Sequence, residues 1–173
     1  MPQAPSDDLI ERLNRHDEAG FVAETGALYE HSPWIASRAW QERPFQDRAA
    51  LHAVMQRIVR TASTAQQLDL IRAHPDLAGK LARAGALAAH STSEQSGLGL
   101  DRLGDADYER FDRMNRAYRA RFDMPFIIAV RAQTRESVLA AFETRLHHDQ
   151  ATEIATALDE IGKIAGYRLG DLA

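Results

Sequence analysis

PFIIAVR, residues 125–131, is the stretch on which the fold class turns. Its apolar core, residues 126–130, is the one short block with β-branched character and no helical stripe around it. Read as a strand, it would make the chain mixed α and β. A lone strand cannot make a sheet, so the block is expected to be buried irregular backbone or the start of a helix, in an all-α chain.

Helical spacing on both sides supports that reading. Downstream, Thr134 can cap a helix with Val138, Leu139, Phe142 and Leu146 inward, and a last helix carries Ile154, Ala155, Leu158, Ile161 and Ile164. Upstream, FDMP at 122–125 stops a long helix from about residue 105, with Tyr108, Phe111, Met114, Asn115 and Tyr118 at 3-4-3 spacing. Before it, Gly97, Gly99 and Gly104 loosen the chain, and Ser91 and Glu94 stand at the cap and third positions of an S-x-x-E capping box. Leu51, Val54, Met55, Ile58 and Val59 form another stripe, followed by a helix that Thr64 can cap and that runs through Leu68 and Ile71. The segment HSPWIASRAWQERPF, residues 31–45, frames a short helix between Pro33 and Pro44. Two amphipathic helices open the chain, one with Leu9, Ile10 and Leu13 after Ser6, the other with Phe21, Val22, Leu28 and Tyr29 after Asp17. The sum is one all-α domain of about eight or nine helices over residues 1–173, with residues 1–6 as a loose tail. There is no internal repeat or low-complexity tract.

Composition narrows the function classes. The 173 residues are 45% hydrophobic and 27% charged, enough for a real core without disulfides or a structural metal. With no cysteine, thiolate metal sites and cysteine nucleophiles are excluded. The net charge of -4 is mixed in sign along the chain, which argues against a nucleic-acid partner. No apolar run nears the roughly 18 residues of a membrane span, so no membrane association is expected. MPQAPSDDLIERL lacks a secretory or transit pattern and GDLA is not a peroxisomal tripeptide, so the cytoplasm is the expected compartment.

Few residues stand out for chemistry. In AHPDLAGK, residues 73–80, Pro75 disfavours helical geometry at His74 and should end a helix there; Asp76 can start the next, with Gly85 weakening its far end. His74 fits two roles, a favourable partner for a helix C-terminal dipole or a proton-transfer group held out of the helix. Glu94 is explained by the capping box as well as by catalysis, and with Ser91 and Gln95 it gathers polar groups at a helix start. Arg168 could clamp a carboxylate through its planar fork, yet with 19 Arg against 2 Lys the chain also uses Arg as its ordinary surface cation. His147 and His148 read as solvent-facing helix-end residues, and Trp34 and Trp40 as core or subunit contacts. No metal site is expected: there is no H-E-x-x-H, and His74-x-Asp76 lacks an obvious third ligand. No G-x-S-x-G, Walker or dinucleotide motif is present.

Taken together, SPWIA, RPF, AHPDLAGK, S-x-x-EQ-x-x-x-GL, N-x-x-Y-x-x-RF, PFIIAVR and a final I-x-x-x-RL occur in an order that resembles the family of 2-oxo-4-hydroxy-4-carboxy-5-ureidoimidazoline (OHCU) decarboxylases. The resemblance runs from about residue 9 to residue 170, and its specificity lies in the joint occurrence, with Ser91 placed 17 residues after His74. It implies an all-α, homodimeric, cofactor-free enzyme that forms (S)-allantoin in the last step from urate. It also implies a site at His74, Pro75, Ser91, Glu94, Gln95 and Arg168, with main-chain groups at Phe126, Ile127 and Ile128. On this resemblance His74 and Glu94 handle protons, Gln95 and Arg168 hold carbonyl and ureido groups, and main-chain N–H groups near Ile127 and Ile128 meet developing negative charge. Asp123, Met124 and Ala132 depart from the family pattern, which favours Gly at the first and last of these and an aromatic or His at the second. A non-catalytic small-molecule binding module on the same scaffold and a metal-assisted ureide hydrolase are the rival readings.

Overall fold

Side-chain oxygens start the first two helices, at Asp17 as the sequence leads one to expect and at Asp7 where the expected start followed Ser6. The computed structural model describes residues 7–78, 94, 95, 97–131 and 133–173, and these contain eight α-helices, two 3-10 turns and no strand. The all-α expectation therefore holds among them. Two compact units divide the chain, residues 1–70 with 162–173, and residues 71–161.

In the first unit, Asp7 caps α1 (Asp8–Arg15) by accepting from Leu9 N, and Asp17 caps α2 (Glu18–Thr25) by accepting from Gly20 N. Helix α2 ends before Leu28 and Tyr29, which follow in a 3-10 turn and an extended residue but are still buried. Helix α3 (Pro33–Trp40) packs against both α2 and α4 (Arg48–Thr61). Leu51, Met55, Ile58 and Val59 form the buried stripe of α4. The chain between α3 and α4 is tied back to α1: Asn14 exchanges two 2.8 Å hydrogen bonds with the Phe45 main chain, and Trp40 Nε1 donates to His16 O at 3.0 Å. Trp40 is thus an intrachain contact. In α5 (Thr64–Arg72) the cap is Ser63 instead of the expected Thr64, since Ser63 Oγ accepts from Gln66 N at 3.2 Å.

In the second unit, α6 (Asp105–Phe122) buries Phe111, Asn115, Tyr118 and Phe122, while Tyr108 and Met114 are half-buried. It ends at Asp123, whose φ of 53° is left-handed. That backbone favours Gly, and Asp is one of the few other residues that tolerate it. Arg72 holds the Asp there, through Nε to Asp123 O at 3.1 Å and Nη2 to Oδ2 at 3.0 Å. Thr134 forms a reciprocal capping box with Ser137 at the start of α7 (Arg135–Arg145). Asp149 starts α8 (Gln150–Asp171), which carries Glu153 and, in the first unit, Arg168. Residues 125–130 are neither helix nor strand, and 126–130 are all buried. Phe126 stacks on Phe142 at 3.7 Å between centroids and meets Tyr118 edge-on at 5.3 Å. The block is buried irregular backbone, the first of the two expected forms.

Candidate active site

Pro75 has the effect on His74 that its ring geometry requires. Helix α5 stops at Arg72, His74 N reaches back to Ile71 O at 3.2 Å in a closing turn, and His74 itself is non-helical and only 7% exposed. A buried, non-helical imidazole is more constrained than a solvent-facing group at a helix end.

The expected helix start at Asp76 does not form there. Leu77 and Ala78 make a turn, Ala78 adopts a left-handed φ of 52°, and the Asp76 carboxylate accepts from Arg119 Nε at 2.9 and 3.2 Å. An ion pair from α6 has taken the carboxylate that a cap would use. The later part of the expected helix, with Gly85, lies outside the described residues, as do Ser91 and Ala132.

Two buried amides hold this turn. Gln95 Oε1 accepts from Ala78 N at 2.9 Å, and Asn115 Nδ2 donates to Leu77 O at 2.7 Å. Glu94 and Gln95 are both helical, Glu94 half-buried and Gln95 3% exposed. The AHPDL and EQ blocks, 17 residues apart between Ala78 and Gln95, are therefore joined by a hydrogen bond.

The segment at Phe126, Ile127 and Ile128 is also held by side chains. Arg145 Nη1 donates to Ile127 O at 2.6 Å, and Ala129 N donates to Glu160 Oε2 at 2.8 Å. Arg145 Nε donates to Glu153 Oε1 at 2.7 Å, the same oxygen accepts the Tyr118 hydroxyl at 2.5 Å, and His148 Nδ1 lies 2.9 Å from Glu153 Oε2. Burial first, and then the Glu153 carboxylate, push the Tyr118 phenol well above its ordinary range, so it is a donor at any ordinary pH. His148 is thus half-buried and paired, contrary to the solvent-facing expectation, while His147 is exposed.

In the first unit, Arg168 is 2% exposed and its Nη1 lies 3.1 Å from Glu30 Oε2, itself buried. It is no ordinary surface cation. The contacts that Glu30, Asn115, Arg145 and Glu153 make were not foreseen from the sequence. A faint signal was available for Asn115, a polar residue within the apolar stripe of α6. Among the described residues no three His, Asp or Glu side chains come together as metal ligands would, and no helix is long and apolar enough to cross a membrane.

Among the described residues the fold is all-helical, with a histidine at a proline-broken helix end and Gln95 bonded to the turn that follows it, an arrangement in keeping with a helical enzyme class. Residues 14–170 match the OHCU decarboxylase family, and the chain belongs to it. It is 43% identical over 162 residues to a 2-oxo-4-hydroxy-4-carboxy-5-ureidoimidazoline decarboxylase of Haloferax volcanii, covering 94% of each chain. It is 38% identical to the uric acid degradation bifunctional protein PucL of Bacillus subtilis, covering 94% of this chain and 32% of that one. The fold is similar to a crystal structure of (S)-allantoin synthase, with a TM-score of 0.73 and 33% identity, covering 92% of this chain and 52% of that chain.

Proposed function

We propose that this chain decarboxylates OHCU to (S)-allantoin, closing the route from urate, without a metal or organic cofactor. The observation that carries the reading is the family match over residues 14–170, and the hydrogen bond between Gln95 and Ala78 supports it by joining the two sequence blocks that contain Glu94 and His74. Membership of the family supports the reaction type.

The chemistry suits these residue types. In OHCU the carboxylate leaves from ring carbon 4, and the adjacent carbon 5 is part of the ring C=N bond. When the bond to carbon dioxide breaks, its electron pair forms the carbon 4 to carbon 5 double bond and the C=N pair moves to nitrogen, which takes a proton. The 4-hydroxyl proton is then lost as the carbonyl forms, and carbon 5 gains a proton on one face. The ring is its own electron sink, so the protein must orient the carboxylate, stabilise developing charge and control proton return. His74 and Glu94 are the proton-handling pair, with Pro75 fixing the approach of the imidazole. Backbone N–H groups near Ile127 and Ile128 receive negative charge, and Ser91, Gln95 and Arg168 keep the substrate-binding roles that the family resemblance assigns them. The active form is a homodimer in the cytoplasm, and residues 1–173 act as one domain.

Circular dichroism of the product made from freshly generated OHCU tests the reading. Uncontrolled protonation of the planar enol from both faces gives racemic allantoin. Optically active (S)-allantoin, formed faster than without protein, is expected; racemic product at the uncatalysed rate would overturn the proposal.

A further inference from the structure

Two stretches that the proposed function depends on, 74–78 and 126–128, have no helix or strand to fix their peptide groups. Asn115 of α6 holds the first and Arg145 of α7 the second, with Tyr118 of α6 reaching Arg145 through Glu153. Asn115 and Tyr118 lie three residues apart on that helix, hence on one face, and both are buried. They belong to the N-x-x-Y motif, for which the reaction itself supplies no role.

The peptide plane makes each contact consequential. A trans peptide is rigid, and its carbonyl and N–H point in opposite directions, so a donor that fixes one residue's carbonyl also aims the next residue's N–H. The peptides that follow Leu77 and Ile127 are both trans. The first, from Leu77 to Ala78, is gripped on both sides, its carbonyl by Asn115 at 2.7 Å and its N–H by Gln95 at 2.9 Å. The second, from Ile127 to Ile128, is gripped at its carbonyl by Arg145 at 2.6 Å, which aims the Ile128 N–H away from the guanidinium and polarises it. Arg145 is itself held by Glu153, by the Tyr118 hydroxyl acting through Glu153, and by the Phe126 ring 4.2 Å beneath its guanidinium.

Core stability alone gives little reason for this arrangement. A buried ion pair in an aromatic cluster is usually replaceable by apolar side chains without loss of stability. We infer that Asn115 and Arg145 are positioning residues for the reaction, Asn115 setting the turn that follows His74 and Arg145 aiming the Ile128 N–H at developing negative charge, with Glu153 and Tyr118 holding Arg145 in place. The inference rests on the proposed decarboxylase function.

Steady-state kinetics on OHCU generated in situ test it, using wild type, Asn115→Leu, Asn115→Asp and the double replacement Arg145→Met with Glu153→Met, each checked for folding by far-ultraviolet circular dichroism. The double replacement removes both buried charges together, so it should fold; Asn115→Asp keeps the shape of Asn115 and loses its donor should the Leu variant fail to fold. An N–H misaimed in the transition state lowers kcat more than it changes KM, by about 10- to 100-fold against the larger loss typical of removing such a donor outright. Arg145→Lys, which keeps a cationic donor, is expected to recover part of the loss. Val138→Ala, a core truncation on α7, is the control, with a lower Tm and unchanged kcat. Folded variants with kcat within twofold of wild type would overturn the positioning role and leave the decarboxylase reading intact. A wild-type chain that does not accelerate OHCU decay would overturn both.

Discussion

The side-chain carbonyl of Gln95 accepts the main-chain N–H of Ala78 at 2.9 Å, at a residue whose φ of 52° is left-handed. That bond compensates a conformation that disfavours any residue with a Cβ by about 1–2 kcal/mol. Gln95→Leu leaves a buried N–H unsatisfied and is expected to cost about 1–3 kcal/mol in urea denaturation. It should also lower kcat/KM, because the turn after His74 loosens. Ala78→Gly relieves the strain and should leave stability equal to wild type or higher.

His74→Asn and Glu94→Gln are each expected to abolish turnover while far-ultraviolet circular dichroism stays unchanged. The two roles open to Glu94 separate cleanly in this pair of measurements. A Glu94→Gln variant that keeps activity but melts at lower temperature would make Glu94 a helix cap and not a proton-handling group.

Arg168 and Glu30 form a buried ion pair at 3.1 Å, so Glu30→Leu takes a carboxylate partner from a guanidinium that is 2% exposed. Breaking such a pair costs about 3–5 kcal/mol, measurable by equilibrium unfolding. Arg168→Lys keeps the charge and loses the planar fork, and a rise in KM larger than the fall in kcat is expected from its substrate-binding assignment.

On the acid side, Arg48 donates to Asp7 and holds its carboxyl below the usual range, and Arg12 does the same for Glu24 with help from His16. A depressed folded-state pKa contributes stability above the unfolded value, near 3.9 for Asp, that is lost as pH falls through the folded one. Asp7→Asn retains a good N-cap and removes the charge. Its Tm deficit against wild type should therefore be constant above about pH 5 and shrink as pH falls below about 4.

Thr134→Ala removes one half of the capping box with Ser137 and is expected to cost about 1 kcal/mol, read from urea midpoints. Activity per folded molecule should be unchanged.

Local signals in the sequence determined the helices. Caps at Asp17 and Thr134, the stripe from Leu51 to Val59 and the stop at Pro75 act over one to four residues, so they are legible without knowing what packs where. The same locality put the cap of the next helix at Thr64, whereas the folded backbone uses Ser63, one residue earlier. The non-helical backbone at His74 was legible because its proline neighbour is adjacent in the chain. What tertiary structure alone decided is which polar groups hold the irregular backbone. Asp76 is diverted to Arg119, 43 residues away, Leu77 is held by Asn115 across 38 residues, and Ile127 by Arg145 across 18. Irregular backbone has no repeating partner, so its carbonyls and N–H groups are satisfied by whichever side chains the packed helices bring near, and no spacing rule encodes that choice.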